Sequence, residues 1–349
     1  MKRIKQLDAL RTLAIFMVLS FHFGHMTNSP VIFRQIGWSG VDLFFILSGF
    51  LISGLLFREY KFSGHIRVGH FLAKRSMKLY PAYYVLVLGS IAIAMYFGSP
   101  YKWNAIWPSI VFVQNYVLSD GIWYHLWSMA VEEHFYILLP VAFWLATKHS
   151  KNPFGKLPHV TGGVIVFCLI GRCVLPLHLG YSHLRFDGLA FGVLIAYLWE
   201  FRPEVINQVI RSRGRWLLGA TLLLLSPQFV LPITNPFMYT VGLTATFLGY
   251  GGLLIYSVKC VKHNRVIEYL ARIGAYSYTI YLVHAPVLMW TLHHGYSVDR
   301  IGVAFCSYIS LSIVLGVLFA KLLTIPASLW KRESQTNSIP DVSILTLAA

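Results

Sequence analysis

An arginine and a histidine stand eleven positions apart in the first apolar run, which reads LRTLAIFMVLSFH from Leu10 to His22. On a helix, eleven steps of about 100° make three turns plus about 20°, so Arg11 and His22 share one face. At a rise of about 1.5 Å per residue, their Cα atoms lie roughly 16 Å apart along the axis. A cation near one mouth of a membrane and an imidazole deeper inside suit a ligand that is anionic at one end and reactive at the other. A coenzyme A thioester has that form. The planar guanidinium fork matches phosphate oxygens, and an imidazole near neutrality can take the proton of an attacking alcohol.

Other ionisable residues also fall inside apolar runs: His25, Asp42, Glu132, Glu133, His134, Arg172, Arg185, Asp187 and His284. A charged side chain at the centre of a membrane helix costs roughly 2.5–3.5 kcal/mol. Such residues are expected to face one another or a wet cavity. Arg172 and Asp187, separated by a short loop, read as a structural pair. Asp42 reads as a partner for Arg11, an orienting group for a histidine, or half of a structural ion pair. Ser128 and Glu132 are one turn apart on one face, with Glu132 expected to orient or charge-balance His22. Glu133 points about 100° away and reads as packing or polar lining. His25 is expected to make a structural or acceptor-side hydrogen bond. His284 is a candidate for acceptor or relay contact, and Tyr281 reads as packing. The remaining histidines read as loop residues that form no ligand set, and no metal motif is present.

The elements that must hold these groups follow from composition. Of 349 residues, 56% are apolar and 12% are charged, and the mean hydropathy is +0.62. A soluble domain carries roughly 25% charged residues, so a soluble enzyme, a disordered chain and a disulfide scaffold are all poor readings. Ten apolar runs, at 7–26, 37–57, 80–98, 126–146, 160–177, 184–200, 216–233, 238–258, 274–292 and 300–325, predict an all-α polytopic membrane bundle of about ten transmembrane helices. The segment 104–118 is ambiguous. Omitting it places all six basic segments (the N-terminus, 58–78, 148–156, 202–215, 259–272 and Lys331-Arg332) on one side. That is the cytoplasmic side by the positive-inside rule, with both termini there, and 104–118 is then re-entrant or interfacial.

The net charge of +16 reads as this topology plus an anionic ligand, with no nucleic acid as partner. Arg75 and Lys78 lie on a basic amphipathic stretch suited to phosphates of the donor or to lipid headgroups. The four cysteines read as small buried residues. The opening reads as a retained helix rather than a cleaved signal. A single membrane domain over 1–330 and a polar tail over 331–349 are expected.

Several segments resemble membrane acyltransferase family 3, the bacterial integral-membrane O-acetyl- and O-acyltransferases. These are LDALRTLAIFMVLSFHFGH with Arg11 and His22, GWSGVDLFFILSGFLISGLL with Asp42 and Ser48, and FLAKRSMKLYPAYY with Arg75 and Lys78. HLWSMAVEEHFYILLP, RFDGLAFGVL and AYSYTIYLVHAPVL continue the order. Lys78 stands where the family has a second arginine, Met129 where it has Leu, and His134 where it has Gln. The resemblance implies transfer of an acyl group, acetyl being expected, from cytoplasmic acyl-CoA to a hydroxyl of a carbohydrate, glycolipid or exopolysaccharide acceptor. His22 would act as general base, with Arg11, Glu132 and Asp42 as catalytic companions. Arg11, Arg75 and Lys78 would hold the donor, and His25, Ser128, Glu133, Arg185, Asp187 and His284 would face the substrate. The rival reading is a transporter or flippase for a polysaccharide precursor, which also places charge at mid-membrane.

Overall fold

In lipid, every backbone donor and acceptor must be satisfied within its own element, and each of the ten apolar runs accordingly lies on a helix. The computed structural model describes residues 4–27, 35, 37–98, 101–117, 123–175, 180–295 and 300–323, and all regular structure among them is helical. In chain order the helices are α1 (Lys5–Thr27), α2 (Gly40–Ser63), α3 (Val68–Tyr96), α4 (Trp103–Ile110), α5 (Trp127–His149) and α6 (Leu157–Val174). They continue as α7 (Phe186–Phe201), α8 (Pro203–Leu225), α9 (Leu243–Cys260), α10 (Arg265–Gly274), α11 (Ser277–Gly295) and α12 (Ile301–Leu323). Short 3-10 turns precede α5 and α7, and a π turn, Met238–Gly242, leads into α9.

Seven of these elements are long and apolar enough to cross a membrane: α1, α2, α3, α5, α6, α12 and the stretch Met238–Cys260. Helices α7, α8 and α11 carry the other three runs. Helix α7 has only 16 residues, about 24 Å of rise. Helix α8 breaks its helical dihedrals at Arg213 and ends at Leu225 before Pro227, so the run expected to reach 233 stops earlier. Helix α4 has 8 residues, about 12 Å, too short to span a core of about 30 Å. The basic segment 259–272 runs into α10, a helix whose N-cap Asn264 accepts a hydrogen bond from the Ile267 amide.

Backbone proximity fixes how the helices turn toward one another. The most extensive packing joins α2 to α7. A Cβ at Gly49 would collide with the Leu189 carbonyl, and one at Gly192 with the Ile46 carbonyl. Small residues let the two backbones approach where lipid supplies no hydrophobic drive between helices. Helix α10 lies along α1, where Thr12 donates to the Leu270 carbonyl, Gln6 to the Val261 carbonyl, and Lys5 pairs with Glu268 at 3.1 Å. At the same end Arg58 and Lys61 of α2 meet Glu200 near the close of α7.

Only one cysteine matches its expectation. Cys168 is buried, whereas Cys173, Cys260 and Cys306 are exposed, because each sits on the outward side or the end of its helix. The tail expected over 331–349 lies outside the described residues.

Candidate active site

Helices α1, α2, α3, α5 and α11 line a half-open cavity with about 520 Å³ of space, its open mouth included. Its polar wall consists of Arg11, Ser48, Arg75, Ser128, Glu132, Tyr136, Ser277, Tyr278 and Tyr281, and Val41, Phe44, Phe45, Leu79 and Met129 complete it. Glu132 is held from two sides. Ser48 donates to Oε1 at 2.8 Å, and Tyr136, one turn further along α5, donates to Oε2 at 2.8 Å. Arg75 lies flat on Tyr136, its guanidinium carbon 3.6 Å from the ring centre.

Arg11 is buried, and among the described residues Nε of both Arg11 and Arg75 has no hydrogen-bond partner. Among the described residues no carboxylate comes within ion-pair distance of either guanidinium. Asp8, one turn earlier on α1, and Glu132 act on Arg11 through space. Arg75 and Arg11 likewise act on Glu132. Two guanidiniums and one carboxylate line the cavity, and Asp8 acts on Arg11 from outside its wall, so the lining groups themselves make a net positive field. In a low-dielectric interior such a field favours an anionic guest.

Beyond one wall of this cavity lie three histidines. The His284 ring centre is 4.9 Å from that of His22 and 5.0 Å from that of His125. His284 is fully buried, its Nδ1–H donates to the Tyr281 carbonyl, and its Nε2 has no hydrogen-bond partner. A carbonyl can only accept, so the proton belongs on Nδ1 and Nε2 keeps its lone pair. Tyr281 stands between the compartments. It lines the cavity, its hydroxyl meets Ser128 Oγ at 2.7 Å, it donates to the His125 carbonyl, and its ring is 5.2 Å from that of His284.

On the face that Arg11 and His22 share, His22 meets His284 of α11, and Arg11 lines the cavity that Tyr278 and Tyr281 of α11 also line. His22 is not among the residues that line this cavity. Glu132 does not orient His22; Ser48 and Tyr136 occupy its carboxylate instead. Tyr281, read as packing, is the hydrogen-bonded partition. His125 is buried beside His284 rather than lying free in a loop. Its position three residues before Ser128 was the available signal.

The remaining candidates lie elsewhere. Asp42 pairs with Arg185 at 2.6 Å rather than with Arg11, and Arg172 with Asp187 at 2.6 Å, all four buried. Arg172 also donates to the Leu184 carbonyl and to Thr244. None of these four lines the cavity, although Arg185 lies over the rings of Phe45, which does, and Trp127. Glu133 accepts from Tyr80, away from the cavity wall. His25 is exposed and stacks on Phe21. Lys78 is exposed on α3 and does not line the cavity. Among the described residues no group of three or more His, Cys, Asp or Glu side chains is arranged to hold a metal ion.

Comparison with known proteins places this arrangement in context. A family profile described as an acyltransferase domain matches residues 4–324. A Staphylococcus aureus (strain COL) protein named as a candidate O-acetyltransferase is 28% identical over 360 residues, covering 92% of this chain and 56% of that protein. The peptidoglycan O-acetyltransferase OatA of Listeria monocytogenes is 25% identical over 325 residues, covering 83% of this chain and 50% of its own. O-acetyltransferase OatA of Staphylococcus aureus (strain NCTC 8325 / PS 47) is 25% identical over 313 residues, covering 81% and 50%. The chain thus spans about half the length of the curated relatives it matches. No solved structure matches it.

Proposed function

Because the chain belongs to the acyltransferase-domain family, we propose that it is a multi-pass membrane O-acetyltransferase that moves an acetyl group from acetyl-CoA to a carbohydrate hydroxyl. One observation carries the donor assignment: Arg11 and Arg75, neither in an ion pair among the described residues, share the wall of one cavity. Ten spans with both termini cytoplasmic would put that cavity within reach of the soluble donor pool. Lys5, Arg58 and Lys61 lie at the same end of the bundle as the N-terminus of α1, as the positive-inside rule requires.

In this reading Arg11 and Arg75 bind anionic groups of the donor, with Lys78 outside the cavity as a further cation. The thioester points toward Tyr281 and Ser128, and that contact parts to admit it to the histidine side. His22 takes the proton of the acceptor hydroxyl as its oxygen attacks the thioester carbonyl. The carbon–oxygen bond forms, the carbon–sulfur bond breaks, and the coenzyme A sulfur leaves with the proton returned by His22. His284, its tautomer set by the Tyr281 carbonyl, supports the His22 ring. Asp42, Arg185, Arg172 and Asp187 act from outside the cavity by fixing α2, α6, α7 and α9.

The acceptor is a surface glycan, and the Listeria relative's name points to peptidoglycan as the first to try. The test uses membrane vesicles containing the full chain, labelled acetyl-CoA and a peptidoglycan acceptor. Arg11→Ala is expected to raise the donor concentration needed for half-maximal transfer. His22→Ala should strongly reduce transfer while sparing donor binding. Wild-type rates in both variants would overturn the assignment, and donor-independent glycan flux would favour a transporter.

A further inference from the structure

Helix α10 carries three distinct faces. With Val266 as zero and about 100° per residue, Tyr269, Leu270 and Ile273 fall within about 60° of it and make one apolar stripe. Ala271 and Gly274 lie together on one side of that stripe. Arg265 and Arg272, seven steps apart, share the other side within about 20° of each other. Ala271 and Gly274 are buried, and Gly274 meets α1 so closely that a Cβ would collide with the Asp8 carbonyl. The stripe itself is largely open. Val266 is 63%, Tyr269 64% and Leu270 36% exposed, while Ile273 is half-buried.

What covers the stripe follows from where the chain holds α10. Four residues join it to Cys260, the end of a stretch long and apolar enough to cross a membrane. Two residues join it to α11, which carries a further apolar run. The longer link reaches at most about 18 Å, so α10 stays near the level of the membrane surface. There, large apolar side chains on one face of a short helix favour acyl chains over water. Charge agrees. Lys259, Lys262, Arg265 and Arg272 stand in this stretch against one acid, Glu268, which pairs with Lys5 at 3.1 Å. Arg272 is exposed, 3.8 Å from Glu268 and over the Tyr269 ring. Arg265 is exposed and makes no ion pair among the described residues.

We propose that α10 is a binding site for anionic phospholipid. Val266, Tyr269 and Leu270 enter the acyl region of the leaflet at the basic end of the bundle, and Arg265 and Arg272 receive the lipid phosphates. The same helix braces the turn of α1 that carries Arg11. Thr12, the next residue, donates to the Leu270 carbonyl, and Asp8, against Gly274, acts on Arg11 through space. Lipid held on one face of α10 therefore steadies Arg11 through another. This last step rests on the acetyl-transfer reading, whereas the lipid site needs no donor and is measured separately.

The experiment places the full chain, one copy per nanodisc, in phosphatidylcholine alone or mixed with phosphatidylglycerol, and follows hydrogen exchange of Arg265–Gly274. Exchange in wild type should slow when phosphatidylglycerol is present. Arg265→Gln and Arg272→Gln should each cut that response about fivefold, and Tyr269→Asn should raise exchange in both lipids. Unchanged exchange of Ile301–Leu323 verifies folding. Equal exchange of wild type in the two lipids, or an undiminished response in the arginine variants, would overturn the site. Protection that needs two copies per disc would assign the stripe to a second chain, and protection lost on deleting 331–349 would assign it to that tail. Either result overturns the proposal. In a parallel titration, phosphatidylglycerol should lower the acetyl-CoA concentration for half-maximal binding in wild type but not in the double arginine variant. Equal lowering in both would overturn the link to Arg11. Absence of acetyl transfer in every disc would overturn the catalytic reading and leave the lipid site standing on its exchange data.

Discussion

Arg75 on α3 stacks on Tyr136 of α5, and the same tyrosine donates its hydroxyl to Glu132. One aromatic side chain therefore positions both a cation and the carboxylate of the cavity wall. The guanidinium is held by a flat π face here, since among the described residues no carboxylate is within ion-pair reach.

Replacing Arg75 by lysine keeps the charge but loses the plane and the fork. Arg75→Lys should raise the acetyl-CoA concentration for half-maximal transfer about tenfold, a difference of about 1.4 kcal/mol, with a smaller effect on maximal rate. Donor titration in vesicles measures it. Unchanged donor dependence would mean that stacking on Tyr136 does not prepare Arg75 for the donor.

His22 and His284 are ring neighbours, yet their expected roles differ. His22→Ala should reduce maximal transfer by about 10²–10⁴, the range for a positioned general base. His284→Ala should reduce it less, leave donor affinity unchanged and alter the pH profile of the rate. Equal losses in both variants with unaltered pH profiles would remove the distinction.

Buried charges should be costly to orphan. Asp42→Asn leaves Arg185 buried without its carboxylate, and about 3–5 kcal/mol of destabilisation is expected. Thermal unfolding in detergent reports it. Asp42→Leu combined with Arg185→Met should recover much of the loss, since the pair's attraction repays desolvation only in part.

The α2–α7 contact gives a sharp steric contrast. Gly49→Ala and Gly192→Ala should lower the unfolding temperature by several degrees, because each Cβ meets backbone. Gly162→Ala on α6 should be neutral, with nothing within 4 Å of its Cβ.

Outside the spans, the hydrogen bond and charge of Lys5 hold the Glu268 carboxyl below the ordinary carboxylate range. A carboxyl lowered in the folded state contributes stability above its unfolded pKa of about 4.3 and loses that contribution as pH falls through the lower folded value. Acidification below about pH 4 should therefore loosen α10 from α1. Hydrogen exchange of Arg265–Gly274 should rise in acid for wild type, whereas Glu268→Gln should already exchange faster at neutral pH and change less.

The amino-acid sequence by itself determined the helical elements, because apolar runs in lipid have no other way to satisfy their backbones. It also determined which ionisable residues enter those elements and the shared face of Arg11 and His22, which helical periodicity fixes within one element. Helix α10 escaped because its ten residues, three of them charged, carry no long apolar run, although Asn264 marked its start. Tertiary structure alone decided the partners across helices: Asp42 with Arg185 rather than Arg11, Glu132 with Ser48 and Tyr136 rather than His22, and Tyr281 standing between donor cavity and histidines. Those pairings depend on how far each helix is rotated and how closely two backbones approach. Contacts such as Gly49 against Leu189 set both, and periodicity along a single helix carries no record of them.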